Sequence, residues 1–393
     1  MPSTALDRRH FLSLAGAGAA AMPALLSSSA RAAAPGRGVP KGAIVVNALG
    51  GLINPNKAPD APPPKNGIGG AARQVLDRRV IDEARASGLT AVNITLGYVA
   101  GEMEPFEHSV REIGIWERRI LEYPQDFLKI LTAADILRAK RENRIGIIYG
   151  FQNSVMMGRD VSRADIFADL GVRVFQLTYN PANGAGDGSM APENRGITPF
   201  GRDLIERLNA DRVMVDLSHS GEKTCLEAAR LSKQPISINH TGCRALTDLP
   251  RNKTDAELRL VAERGGFVGI YFMPFLNPTS NATAADVVAH IDHAVNICGE
   301  DHVGIGTDGG ITTVDDMAAY RVHIAKEIAD RRAAGIGAKG ENPDTLPFVL
   351  DLRGPRQFHD LADRLRAKGY KEARIEKILG LNFVTYAKTV WGA

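Results

Sequence analysis

Short runs of β-branched and aliphatic residues recur along the chain. They close near Val46 (AIVV), Thr95 (TAVNIT), Tyr149 (RIGIIY), Thr178 (VRVFQLT), Leu217 (RVMVDL), Ile238 (PISI), Tyr271 (FVGIY) and Gly306 (HVGIG). Between them, apolar residues return at three- and four-residue intervals over 71–87, 133–141, 162–170, 201–209, 222–231, 255–264 and 284–298, the period of helices with one buried face. Eight short strands alternating with helices predict an α/β chain closed as a (β/α)8 TIM-like barrel. A doubly wound sheet is the competing arrangement, but no G-x-G-x-x-G follows the first strand. The Pro-rich stretch 54–70 reads as a loop over the barrel mouth, and 309–351 as a second irregular segment after the eighth strand.

The first residues follow a different pattern. Asp7-Arg8-Arg9-His10-Phe11-Leu12 is a twin-arginine motif that runs into an Ala- and Gly-rich apolar stretch and then Ala30-Arg31-Ala32-Ala33-Ala34. A basic start, an apolar core too short for a membrane span and a small-residue cleavage site predict an export signal over 1–34, delivering a single barrel domain, 35–393, to the periplasm. Of the net charge of +3, this segment carries +2 through Arg8, Arg9 and Arg31 against Asp7. The nearly neutral remainder gives no electrostatic case for nucleic acid or anionic lipid and points to a small-molecule substrate, with a homodimer left open. Three widely spaced cysteines without a C-x-x-C exclude a zinc knuckle or a disulfide framework. Cys225 and Cys298 read as small buried apolar residues, and Cys243 as either that or a residue lining the site.

The chemistry gathers at strand ends. His219 in VMVDLSHSG and His240 in PISINHTGC each follow a β-branched run, which places two imidazoles at the C-terminal tips of neighbouring strands. Arg251 follows in DLPRNKTD, and DHVGIGTDGG puts Asp308 at the eighth strand tip. Two histidines, an arginine and an aspartate on this face form a hydrolase-type layout. Asp216, three residues before His219, points to the other side of an alternating strand and reads as structural. His290 and His293 share a helix face and read as polar surface or interface residues; His302 precedes the last strand, at the wrong end for catalysis.

These segments resemble the membrane (renal) dipeptidases, zinc peptidases on a (β/α)8 barrel with two bridged metal ions. The similarity is densest in ITPFGRDLIERLNADRVMVDLSHSG, HIDHAVNICGEDHVGIGTDGG and LADRLRAKGYKEARIEKILGLNF. By that resemblance His219 and His240 look like the histidines of one zinc site, Arg251 like the residue that holds the substrate carboxylate, and Asp308 like the general base. The departures are as informative. Where the family has a VVDGHNDL-like segment, this chain has VVNALGGL, so Leu49 and Gly51 stand at metal-ligand positions; Gln152 replaces the bridging Glu, and Tyr179 the histidine that polarises the scissile carbonyl.

A divergent member with a degraded metal site is therefore expected, holding at most one zinc on His219 and His240. Three readings follow. The first is a dipeptidase-like hydrolase of a small carboxylate-bearing substrate, with Asp308 as base, Tyr179 as donor to the oxyanion, and Arg251 and Gln152 in contact with substrate. The second is a metal-independent lyase or isomerase in which His219, His240, Asp308 and Tyr179 form the acid–base set. The third is a non-catalytic binding protein that keeps the pocket.

Overall fold

In a computed structural model, residues 36–58 and 74–392 are described. The expected export segment, and 59–73 of the expected mouth loop, lie outside them. The chain alternates β1 (Val46–Gly50), α1 (Arg78–Ala86), β2 (Ala91–Leu96), α2 (Pro105–Glu122), β3 (Phe127–Lys129), α3 (Ala133–Arg141), β4 (Ile145–Phe151), α4 (Arg163–Asp169), β5 (Val172–Gln176), α5 (Pro199–Ala210), β6 (Met214–Asp216) and α6 (Glu222–Leu231). It continues with β7 (Ser237–Thr241), α7 (Asp255–Glu263), β8 (Phe267–Ile270), α8 (Ala284–Cys298), β9 (Val303–Ile305), α9 (Met317–Ala333), α10 (Gln357–Ala367), α11 (Glu372–Glu376) and α12 (Asn382–Trp391).

All pairings are parallel, in the order β1-β2-β4-β5-β6-β7-β8-β9, with β3 attached to β4 outside that ring. Closure falls to the strand tips. Asp308 N–H donates to Leu49 O (2.9 Å), Gly51 N–H to Gly309 O (3.0 Å), and the Asn47 amide exchanges two 2.8 Å bonds with Thr307. Room for this comes from glycine: a Cβ on Gly306 would stand 2.0 Å from Asn239 O, so the β7 backbone can pass close to β9. The eight expected strands are all present, and the (β/α)8 barrel is the fold.

Helices start where the chain supplies acceptors for their free N–H groups. Asp77 caps α1, Thr198 with Pro199 opens α5, and Thr254 with Glu257 forms a capping box on α7. At the opposite end from the site, α12 packs against β1, β6, β8 and β9 and buries Phe383, Tyr386 and Trp391, with Trp391 Nε1–H donating to Arg173 O (3.1 Å). This apolar floor makes the other end of the barrel the open one. Among the described residues no helix is long and apolar enough to cross a membrane.

Three local expectations are corrected. The helix expected from residue 71 begins at Arg78, because Asp77 accepts from Val80 N–H and fixes the start there. The segment 309–351 is not irregular throughout, since α9 occupies much of it. His290 is not at the surface: it is buried, with Nδ1 accepting from Cys243 N–H (2.9 Å) and Nε2–H donating to Leu276 O (2.9 Å), and burial lowers its pKa to about 4. Cys243 is fully buried against that same histidine and belongs to the core, as do Cys225 and Cys298.

Candidate active site

His219 owes its position to bonds on both sides of it. Asp216, at the end of β6, accepts from Ser218 N–H (3.0 Å), Ser218 Oγ–H (2.5 Å) and Asn239 N–H (3.0 Å), and Ser218 Oγ in turn accepts from His240 N–H (3.1 Å). One buried carboxylate thus ties the β6 tip to β7, the structural role its alternation implied. Three successive carbonyls are then held: Ser218 O by Arg251 Nη1 (2.5 Å), His219 O by Ser189 N–H (2.7 Å) and Ser220 O by Lys253 Nζ. Lys253 itself lies 3.3 Å from Glu257, each side chain 1% exposed. The other carboxylate oxygen, Glu257 Oε2, accepts from Thr254 N–H (2.8 Å) and Thr254 Oγ1–H (2.9 Å), the further hydrogen bonds that help retain a buried ion pair.

The tautomer of His219 can be read from its neighbours. Asn180 Nδ2 donates to Ile336 O (2.8 Å), so its Oδ1 must face the ring, 2.7 Å from His219 Nδ1. Nδ1 therefore carries the proton, leaving Nε2 a bare acceptor that is buried and without a partner. The Tyr179 ring stacks on His219 at 4.2 Å between centroids, and His240 lies 5.0 Å from it. Burial, followed by the Arg251 charge, holds both imidazoles well below their usual pKa, so both are neutral near pH 7. His240 Nε2 is 3.4 Å from the Gln152 amide nitrogen, whose oxygen accepts from Thr95 Oγ1 (3.1 Å). Gln152 is thereby occupied between β2 and β7.

Asp308 stands at the rim with φ +57°, a left-handed conformation that Asp tolerates better than most residues but that still carries strain. Enclosure of its carboxyl outweighs the nearby Arg251 and Arg331 charges and pushes its pKa up to about 6. Burial also raises the Tyr179 hydroxyl to about 12, so it stays a proton donor. Arg251 is 2% exposed; Nη1 is committed to Ser218 O while Nη2 is buried with no partner. The structure thus brings His219, His240, Gln152 and Tyr179 into one cluster at the barrel mouth, and Asp308 and Arg251 act on that cluster through their charges.

Three contributors escaped the strand-tip reading. Asn180 orients His219, Lys253 grips its loop, and Arg331 on α9, paired with Glu341 at 2.9 Å, adds a charge felt by both Tyr179 and Asp308. Asn180 had a signal, in the QLTYN stretch beside Tyr179; Arg331 had none.

This architecture defines a barrel of the metal-dependent hydrolase type with its polar groups at the strand tips. The sequence profile of the membrane dipeptidases, peptidase family M19, matches residues 91–335, and the chain belongs to that family. An uncharacterized protein in the pqqA 5' region of Klebsiella pneumoniae is 30% identical over 273 residues, 66% of this chain and 88% of that protein. "Dipeptidase tcpJ" of Claviceps purpurea is 33% identical over 255 residues, 62% of this chain but 59% of its own length. Among solved structures, an amidohydrolase from Pseudomonas aeruginosa superimposes with a TM-score of 0.74 at 29% identity, over 89% of this chain and 97% of that one.

The family is zinc-dependent, so the donor set has to be tested against zinc. Among the described residues no three His, Cys, Asp or Glu side chains converge on a point. Leu49 and Gly51 offer no donor; a Cβ at Gly51 would meet just Ile53, at 4.0 Å, so the place of a side chain there stands empty. Gln152 is neutral and cannot bridge two cations. These residues do not fit a binuclear centre, and two imidazoles, one of them turned to Gln152, fall short of the three or four donors of a first-row ion.

Proposed function

We propose that this chain is a dipeptidase-like hydrolase that cleaves a small amide substrate bearing a free carboxylate, and that it works in the periplasm after twin-arginine export. The observation that carries the reading is Arg251: one arm of its guanidinium is fixed on Ser218 O and the other is buried without a partner. An unpaired, desolvated donor of that kind is costly until an anion meets it.

With the carboxylate on Arg251, the scissile carbonyl comes to the cluster of Tyr179, His219 and Asp308. Asp308 accepts a proton from the attacking water as oxygen adds to the carbonyl carbon, and the Tyr179 hydroxyl donates a hydrogen bond to the oxyanion that forms. On collapse the C–N bond breaks, and the proton held by Asp308 passes to the leaving amine. His219, neutral and with Nε2 bare, accepts a hydrogen bond from water or amine. The Dipeptidase tcpJ relationship supports a dipeptide-like amide over other substrates.

The test is hydrolysis of a dipeptide panel by the purified protein, with zinc titrated in and counted by plasma mass spectrometry. Released amino acids with at most one zinc per chain are expected, and any zinc should be lost in His240→Ala. Two tightly held ions, or no hydrolysis of any carboxylate-bearing amide, would overturn the reading. Export is tested separately: Lys at both Arg8 and Arg9 should leave the precursor in the cytoplasm on fractionation, and undiminished periplasmic protein would refute it.

A further inference from the structure

Beside the β9 tip lies an open cleft with about 50 Å³ of solvent-fillable space that the proposed chemistry does not use. One wall is the backbone of Gly309 and Gly310, directly after Asp308; the others come from Phe272, Val314, Tyr320 and Phe348. None of the residues assigned to catalysis or to the Arg251 grip lines it.

Three properties set it apart from an ordinary surface groove. Tyr320 and Phe348 are stacked at 5.6 Å and 24°, presenting flat aromatic surface. The Arg353 guanidinium lies 5.3 Å from the Phe348 ring centre, with Nε–H donating to Leu350 O, and among the described residues it has no carboxylate partner. The Thr312 hydroxyl, in a residue 7% exposed, lines the same cleft and is buried with no hydrogen-bond partner. A hydroxyl left unpaired in a wall is costly unless a ligand bonds to it. Arg353 is restrained by its aromatic contact and keeps its outer N–H groups for an anion, since a guanidinium matches a carboxylate with two parallel bonds. Flat apolar walls select a planar apolar body.

We infer that this cleft binds a small arene-bearing monocarboxylate, its ring against Tyr320, Phe348 and Val314 and its carboxylate on Arg353 and Thr312. The ligand's carboxylate meets no acidic residue, because neither Asp nor Glu is among the described residues that line the cleft. Ligand entry and the proposed hydrolytic site therefore share one strand tip but no binding group.

Phenylacetate is the probe, followed by calorimetry or ligand-observed NMR on the whole protein. Saturable binding is expected, weakened about tenfold or more by Arg353→Gln and also by Val314→Trp, which fills the cleft. Acetate, which lacks the ring, should bind about tenfold or more weakly than phenylacetate. Arg251→Gln should leave phenylacetate affinity unchanged. If phenylacetate does not bind, or binds Arg353→Gln and Val314→Trp as it binds wild type, the inference fails. It also fails if Arg251→Gln abolishes binding, which would place the probe in the hydrolytic site. Dipeptide turnover bears on none of these outcomes, so the two readings stand or fall apart. Arg353 is half-buried on a loop, and a thermal melt of each variant verifies its folding.

Discussion

The two halves of the barrel mouth differ sharply. On the β6–β7 side, His219, His240 and Arg251 are fixed by a buried network in which Asp216, Ser218, Lys253 and Glu257 each hold a neighbour. On the β1–β4 side, Leu49 and Gly51 carry no polar group, and Gln152 is neutral and engaged with Thr95 and His240. One side has the preorganisation that charge recognition and proton transfer demand; the other has lost what a pair of cations demands. The difference teaches that the chemistry proposed for this site rests on the arc from β5 to β9 and on Arg331 of α9, which together carry its charged and titratable groups.

The clamp on the β6–β7 side gives the largest expected effect. Replacing Lys253 by Met leaves Glu257 buried without its cation and frees Ser220 O, which should cost about 3–5 kcal/mol of unfolding free energy in urea melts. Lys253→Met combined with Glu257→Gln should recover a substantial part of that loss. A single variant as stable as wild type would show that the network does not fix this side of the mouth.

Next comes Asp308, where the arc meets the stripped side. Asp308→Asn keeps the shape and removes proton acceptance, so turnover should fall about 100-fold or more while ligand affinity changes little. With its pKa up at about 6, wild-type turnover should rise as pH passes through about 6, and the residual rate of the variant should lose that limb. The sign for stability is opposite. A carboxyl whose pKa is raised from 3.8 in the unfolded chain to about 6 in the fold favours folding below pH 4, and that contribution is lost as pH rises toward 6. Asp308→Asn should flatten the stability profile between those values; an unchanged rate or an unchanged profile removes Asp308 from its role.

How much of this was legible in the sequence depends on how each group announces itself. The barrel strands were readable because each is a short β-branched run, and His219, His240, Arg251 and Asp308 because they follow those runs directly. β3 was not, since three residues are too few to set an alternation. α9 was faint because among its residues only Ile324 and Ile328 are buried, leaving almost no apolar period. Arg331 and Glu341 therefore reach the site from a segment with no strand tip to mark it. His290 misled because its helix, α8, is apolar around most of its circumference, and a polar residue in such a helix is as readily an internal hydrogen-bonding group as an exposed one. Asn180 and Lys253 act through other residues, a geometry that spacing in sequence does not encode.

Arg251→Lys probes the charge-recognising half by a smaller step. Lysine keeps the charge but not the two-armed fork, so one ammonium cannot serve both Ser218 O and a substrate carboxylate; binding of a carboxylate-bearing dipeptide should weaken by roughly 1–3 kcal/mol. Calorimetry returning wild-type affinity would take Arg251 out of the binding site and leave it a clamp on the His219 loop alone.

The smallest effect should come from Asn180, and it is the most specific test of how the β6–β7 side is organised. Asn180 Oδ1 accepts from His219 Nδ1 at 2.7 Å, and its amide nitrogen is held on Ile336 O, so the side chain cannot turn over and offer a donor instead. In Asn180→Ala both bonds go, together with a longer one that Asn180 Oδ1 accepts from Ser189 Oγ–H (3.4 Å), at a cost of about 0.5–1.5 kcal/mol for each hydrogen bond of this kind. The larger consequence is chemical. Without an acceptor at Nδ1, nothing forces the proton onto that nitrogen, and the His219 ring should populate both neutral tautomers. Nitrogen-15 shifts of the imidazole should show one Nδ1-protonated form in wild type and a mixture in the variant. In Asn180→Asp the acceptor is kept, so the single tautomer should remain, although the bond to Ile336 O is lost. A mixture already present in wild type, or a ring unmoved by Asn180→Ala, would mean that the bare Nε2 of His219 is not set by this contact, and the preorganisation of that half of the mouth would have to be sought in the stacking of Tyr179 instead.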